Sequence, residues 1–122
     1  MTEQVPILEF DEDRTAITMP DPYQIGVGVL VPNRAVLCFF QDVIATLFEK
    51  GELTVLGNLK SEMGNHPVYS YSLEGNNIAV FHPGLGAPMA AALMEELIAC
   101  GITRFMVCGG CGVLNRAIEA GH

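Results

Sequence analysis

At 122 residues the chain suits one domain and can bury a core of its own, since a chain of this size hides most of its unfolded surface. Half of the residues are hydrophobic and only 16% are charged, which excludes intrinsic disorder. Six Lys and Arg against fourteen Asp and Glu leave a net charge of -8, the wrong sign for a nucleic-acid groove or an anionic membrane surface, so neither partner is expected.

The chain begins Met1-Thr2-Glu3-Gln4 without a basic stretch leading into an apolar one, and no apolar run reaches the roughly 20 residues of a membrane span. A cytoplasmic protein with reduced thiols is the expectation for Cys38, Cys100, Cys108 and Cys111, which lie in or beside apolar segments. Residues 1–24 read as an irregular arm. Pro6, Pro20 and Pro22 interrupt any regular pattern, and the cluster Glu9, Asp11, Glu12 and Asp13 lacks the His or Cys of a metal site and reads as a solvated face.

Residues 25–122 carry the domain. Ile25 to Val31 is β-rich but punctuated by Gly26 and Gly28, a weak strand. Ala35 to Phe40 predicts a buried strand, followed by a helix from about Asp42 to Lys50 that turns Val43 and Leu47, with Ile44 and Phe48, inward and stops at Gly51. Three strands are expected at Leu53–Leu59, Val68–Leu73 and Ile78–His82. Turns at Met63-Gly64-Asn65-His66-Pro67 and Glu74-Gly75-Asn76-Asn77 separate them into an antiparallel meander. Pro83-Gly84-Leu85-Gly86-Ala87-Pro88 breaks the third strand. A helix from about Met89 to Cys100 follows, with Ala90, Leu93, Met94, Leu97 and Ile98 on its apolar face and Pro88 in its first turn. Gly101 ends that helix, and Ile102 to Cys108 returns as a strand closed by Gly109-Gly110-Cys111-Gly112. Val113 to His122 is a short final element.

Two glycine turns at the carboxyl ends of neighbouring strands expose bare backbone N–H groups where open α/β sheets bind ligands. Gly84, Gly86, Gly109, Gly110 and Cys111 are therefore the expected pocket-lining positions, and glycine there permits close approach of a ligand to backbone. His82, at a strand end beside the first turn, is placed either to touch a ligand and donate a proton or to serve as a hydrogen-bonded strand terminus. His66 falls in a turn with no chemistry expected of it.

The order Gly84-Leu85-Gly86-Ala87-Pro88, Ala90-Ala91-Ala92-Leu93, Glu95-Glu96-Leu97-Ile98-Ala99 and Gly101, continued by Phe105-Met106-Val107-Cys108-Gly109-Gly110-Cys111-Gly112-Val113-Leu114 and Ile118-Glu119-Ala120-Gly121, resembles the nucleoside phosphorylase and nucleosidase superfamily. The likeness is most specific over residues 78–122 and extends more loosely to Ala35–Phe40. It implies an α/β fold, a phosphorylase/hydrolase-like three-layer sandwich with a mixed central sheet, truncated here, because the acidic residues that hold ribose and base in the family come from a later half. It also implies cleavage of the N-glycosidic bond of a purine or pyrimidine nucleoside, with phosphate as co-substrate or with water, no cofactor, and a homo-oligomeric assembly.

By that resemblance Gly84–Pro88 lies near the anion or ribose, and Gly109–Gly112 beneath sugar and base. Asp42 lies roughly where hydrolase members carry a carboxylate that activates water. Read from its own position, it is an acidic residue favourable at a helix start. Arg34, in Val31-Pro32-Asn33-Arg34, is the cation on offer for phosphate, or simply a loop arginine. Val107 and Gly110 stand where the family usually carries an arginine and a serine or threonine. Two other classes remain open: a nucleoside-binding fragment or subunit without turnover, and a thiol redox protein built on Cys108-Gly109-Gly110-Cys111. Against the second, Cys108 ends a strand instead of opening a helix, and no further pair of zinc ligands is evident, so a structural turn is favoured there.

Overall fold

The computed structural model describes residues 13, 15–22, 27, 31–119 and 121. The expected weak strand over residues 25–31 lies mostly outside these. Within the expected arm, the described residues 13 and 15–22 carry neither helix nor strand and are mostly exposed.

Seven elements follow in chain order: β1 (Arg34–Cys38), α1 (Gln41–Glu49), β2 (Leu53–Ser61), β3 (Gly64–Leu73), β4 (Asn76–Phe81), α2 (Ala87–Ala99) and β5 (Arg104–Cys108). They build one five-stranded sheet in the order β2-β3-β4-β1-β5. β2, β3 and β4 are the antiparallel meander, while β1 lies parallel to both β4 and β5. The sheet is thus mixed, as expected. A β-strand that returns through a helix re-enters parallel, whereas strands joined by tight turns pair antiparallel.

The β3–β4 connection is Glu74-Gly75, at φ 50° and 79°. Positive φ at both central residues matches the right-handed twist of the flanking strands. The β2–β3 turn differs from the sequence reading. Ser61 pairs with Gly64, so the loop is Glu62-Met63, and Gly64, Asn65, His66 and Pro67 all belong to β3. Pro67 is tolerated because β3 overruns β4 there: pairing with β4 begins only at Val68, so no ladder partner needs the missing N–H.

Side chains alternate between two faces. Ala35, Leu37, Val68, Ala79 and Phe81 meet Leu93 and Leu97 of α2 on one face. Cys38 and Val80 meet Ile44 of α1 on the other, with Leu47, Tyr69 and Tyr71 packed around them. One helix therefore covers each face. Leu53 belongs to the α1 layer and Leu59 to the α2 layer, although six residues separate them and an unbroken strand would put both on one side. A register shift between Val55 and Gly57, a β-bulge at Leu56, makes the difference.

Two helix faces depart from expectation. In α1 Ile44 is the buried residue, while Val43 and Phe48 are 45% and 48% exposed. In α2 Leu93 and Leu97 are buried and Ile98 is half exposed. The strand expected over Ile102 to Cys108 is β5, which among the described residues stands last in the sheet order, with Met106 and Val107 exposed. Cys38 and Cys100 are buried and Cys111 is exposed. Burial, and secondarily Glu96, raises the Cys100 thiol above its ordinary value, which keeps it protonated and unreactive. Native labelling with a maleimide, read by mass spectrometry, should modify Cys111 within minutes and reach Cys38 and Cys100 only after denaturation. Equal labelling of all three would contradict this packing.

Candidate functional site

The parallel strands β1, β4 and β5 end on the same side of the sheet, and their ends are locked together. Phe39 N–H donates to the Cys108 carbonyl at 2.9 Å, which fixes the end of β1 against the end of β5. The Phe39 ring then lies edge-on to His82, with centroids 6.0 Å apart and planes at 70°. On its other side Phe39 abuts Gly109, where an added Cβ would sit 3.0 Å from Phe39 Cδ2. A phenylalanine thus stands between the two glycine turns.

The first turn is held by its own histidine. Gly84 N–H donates to Nδ1 of His82 at 3.1 Å. Because Nδ1 accepts that bond, the proton of the neutral ring sits on Nε2, and His82 presents an N–H donor. Gly84 and Gly86 take φ of 76° and 86°, a region that side chains other than glycine's rarely enter. Pro88 fits the first turn of α2, which opens directly behind the loop.

A cleft of about 160 Å³ opens beside His82 on the α1 face. The start of α1 supplies Gln41 and Ile44, and β3 supplies Asn65, His66, Pro67 and Tyr69. Of the sequence-predicted site residues only His82 lines it. Gly84 and Gly86 flank its histidine, while Gly109, Gly110 and Cys111 lie beyond Phe39. Asp42 is one position past the cleft residue Gln41, is exposed, and provides the acidic group in the first turn of α1. Arg34 is at the amino end of β1, paired in register with Arg104, about 13 Å of strand away from the glycine turns. The geometry therefore brings His82 and the first turn together and leaves Arg34 at the opposite end of the sheet. Among the described residues no Lys, Arg, Asp or Glu lines the cleft. Among the described residues no cluster of three or more His, Cys, Asp or Glu is placed to hold a metal ion.

Gln41, Asn65 and Tyr69 escape a reading of the sequence. Each looks like an ordinary helix or strand polar residue, and only the fold brings them to one opening. His66 does have a partner: its Nε2 lies 2.7 Å from Ser61 Oγ, which also accepts the Met63 N–H at 3.1 Å. This network ties the β2–β3 turn together.

Glu96 of α2 has its carboxyl raised above the ordinary value, first by burial and then opposed by the nearby positive charge of His66. A raised folded-state value means that the protonated form favours folding. Its contribution to stability is complete below the unfolded value and declines as pH rises through the raised one. Glu96→Gln should therefore flatten the pH dependence of stability across the upper carboxylate range, measured by urea unfolding between pH 4 and pH 7 (approximate bounds of carboxylate titration). An unchanged slope would show that Glu96 is solvated.

A family model described as the phosphorylase superfamily matches residues 33–122. A guanosine phosphorylase from Halorubrum lacusprofundi is 31% identical over 80 residues, covering 66% of this chain and 31% of that protein. Crystal structures of a uridine phosphorylase from Vibrio fischeri ES114 share the fold. One has TM-score 0.59 at 21% identity, covering 85% of this chain and 42% of the other. A second, complexed with 6-hydroxy-1-naphthoic acid, has TM-score 0.51 at 22% identity, covering 71% and 32%. The chain spans between about a third and two fifths of the length of these relatives.

Proposed function

Because this chain belongs to the phosphorylase superfamily, we propose that it takes part in phosphorolysis of the N-glycosidic bond of a nucleoside. The observation that carries the reading is the pairing of a family match over residues 33–122 with a strand-end histidine whose tautomer is set by the first glycine turn. In this reaction a phosphate oxygen bonds to the anomeric carbon, the C–N bond breaks, and its electron pair leaves with the base, which takes up a proton. The enzyme's part is positioning and fixed dipoles aimed at an oxocarbenium-like sugar. His82 supplies an N–H donor beside the first turn, and Gly84 and Gly86 let backbone approach the ligand. Phosphate is the co-substrate, and no cofactor enters the scheme.

A homo-oligomeric assembly is proposed with this reading, as the resemblance implies; among the described residues Met106 and Val107 of β5 are exposed. Among the described residues no helix is long and apolar enough to cross a membrane. A cytoplasmic location is proposed with the rest.

One observation favours a second reading, hydrolysis by water. Val107 and Gly110 replace the arginine and hydroxyl residue that the family resemblance leads one to expect. The test is free-base release from a panel including guanosine and uridine, with and without phosphate, followed by chromatography. Release that requires phosphate and yields a ribose phosphate supports phosphorolysis. Release that ignores phosphate makes the reaction hydrolytic, and no release overturns both.

A further inference from the structure

We infer that Cys38 and Cys108 form a reversible thiol–disulfide pair at the carboxyl ends of β1 and β5. This stands apart from the nucleoside reading and rests on strand register. β1 and β5 run parallel, and Cys38 and Cys108 are the last pair of their ladder. In-register neighbours on adjacent strands stand about 4.8 Å apart, within the roughly 4.4–6.8 Å between Cα atoms that a disulfide spans. Both side chains lie on the α1 face. Cys38 packs there with Ile44 and Val80, while Phe105 packs on the α2 layer, so alternation along β5 brings Cys108, three positions on, to the α1 side. The remaining cysteines are placed otherwise: Cys100 is buried in the α2 layer, and Cys111 is exposed in the loop beyond β5.

Access sets the order of events. Cys38 is 6% exposed, whereas Cys108 is only half-buried. A low-molecular-weight disulfide such as oxidised glutathione therefore meets Cys108 first. The Cys108 thiolate attacks one sulfur of that disulfide, its S–S bond breaks, and one glutathione thiol leaves. The Cys38 thiolate then attacks the Cys108 sulfur of the mixed disulfide and expels the second glutathione. The protein loses two hydrogens and the oxidant gains them. Because the second attack is internal, the oxidant never has to enter the α1 layer. In the reduced state the Cys38 thiol donates to the Phe40 carbonyl at 3.7 Å, a weak bond given up on oxidation.

A bridge here must draw two Cβ atoms to about 3.8 Å across a strand spacing of about 4.8 Å. A disulfide strained in this way is readily reduced, which makes the pair a sensor of thiol poise, as transient disulfides are in reducing compartments. Cys111 is the competing partner for Cys108. That bridge requires the chain to double back at Gly109-Gly110, which here continues without a hydrogen-bonded turn.

The experiment incubates the full chain with oxidised glutathione, quenches with acid, alkylates the remaining thiols, digests with trypsin and maps the disulfides by mass spectrometry. Cleavage after Lys and Arg leaves Cys38 in Ala35–Lys50, and both Cys108 and Cys111 in Phe105–Arg116. The native chain should yield these two peptides cross-linked, and dithiothreitol should separate them. Cys108→Ser should abolish the cross-link. Cys111→Ser replaces an exposed side chain, so it should keep the wild-type circular dichroism and the full cross-link. In urea the cross-link should fall by about tenfold or more, because closing the long loop then competes with the short Cys108–Cys111 one. Oxidation confined within Phe105–Arg116 overturns the pairing. So do glutathione retained on Cys108, loss of the cross-link in Cys111→Ser, an equal yield in urea, or a native chain that glutathione does not oxidise.

Discussion

Phe81→Ala should lower the unfolding free energy by about 3–5 kcal/mol, the range for deleting a buried aromatic ring. Phe81 is wholly inaccessible and sits on β4, flanked in register by Val68 of β3 and Leu37 of β1, in the layer that α2 covers. Its ring fills the space where the antiparallel and parallel halves of the sheet meet, so neither half can collapse into the cavity without leaving the other. Against a typical total of about 5–15 kcal/mol, the variant should be largely unfolded at moderate urea where the wild type is intact. Urea unfolding followed by circular dichroism checks this. A loss below about 1 kcal/mol would mean that α2 does not seal this layer as described.

Gly84→Ala should combine a stability loss with a functional one. At φ 76° an alanine side chain crowds its own backbone, a cost of about 1–2 kcal/mol. Its Cβ would also lie 2.6 Å from Met89 Cγ, so the Met89 side chain must move. Gly75→Ala is the control. Its φ is 79° and nothing lies within 4 Å of the added atom, leaving backbone strain alone. Gly84→Ala should therefore lose more stability than Gly75→Ala. It should also disturb the Gly84 N–H bond to His82, visible as a changed Nδ1 chemical shift in nitrogen NMR, and weaken nucleoside binding. Equal losses with an unchanged His82 spectrum would show that Met89 yields freely and that the turn does not set the histidine.

Much of this fold is legible along the chain because its signals are local. The two glycine turns, Pro88 at the start of α2, Glu74-Gly75 between β3 and β4, and the helix stop at Gly51 each act within a few residues. The errors arise where the deciding contact is distant. Gly64 and Pro67 look like a loop, yet Gly64 follows the turn and Pro67 is excused only because β4 stops short of it. Val43 and Phe48 fit an apolar stripe, but the short α1 buries Ile44 against Cys38 and Val80.

The site divides in the same way. His82 and the first turn are neighbours in sequence and stand out there. Gln41 and Asn65, 24 positions apart, meet only once β3 and α1 have docked on one face. Arg34 and the glycine turns, by contrast, sit near the same strands but at opposite ends, and a linear reading has no measure of strand direction.

The bulge at Leu56 has a thermodynamic consequence. By switching sides midway, β2 gives Leu53 to one apolar layer and Leu59 to the other, so a single strand is a shareholder in both. Neither layer can melt while β2 keeps its place, and both lose a wall when it leaves. The domain should unfold in one transition, with circular dichroism and tyrosine fluorescence from Tyr69 and Tyr71 superimposing. Deleting Leu56 would instead let the strand run straight, turn Leu59 away from α2, and uncouple what one extra residue now holds in step.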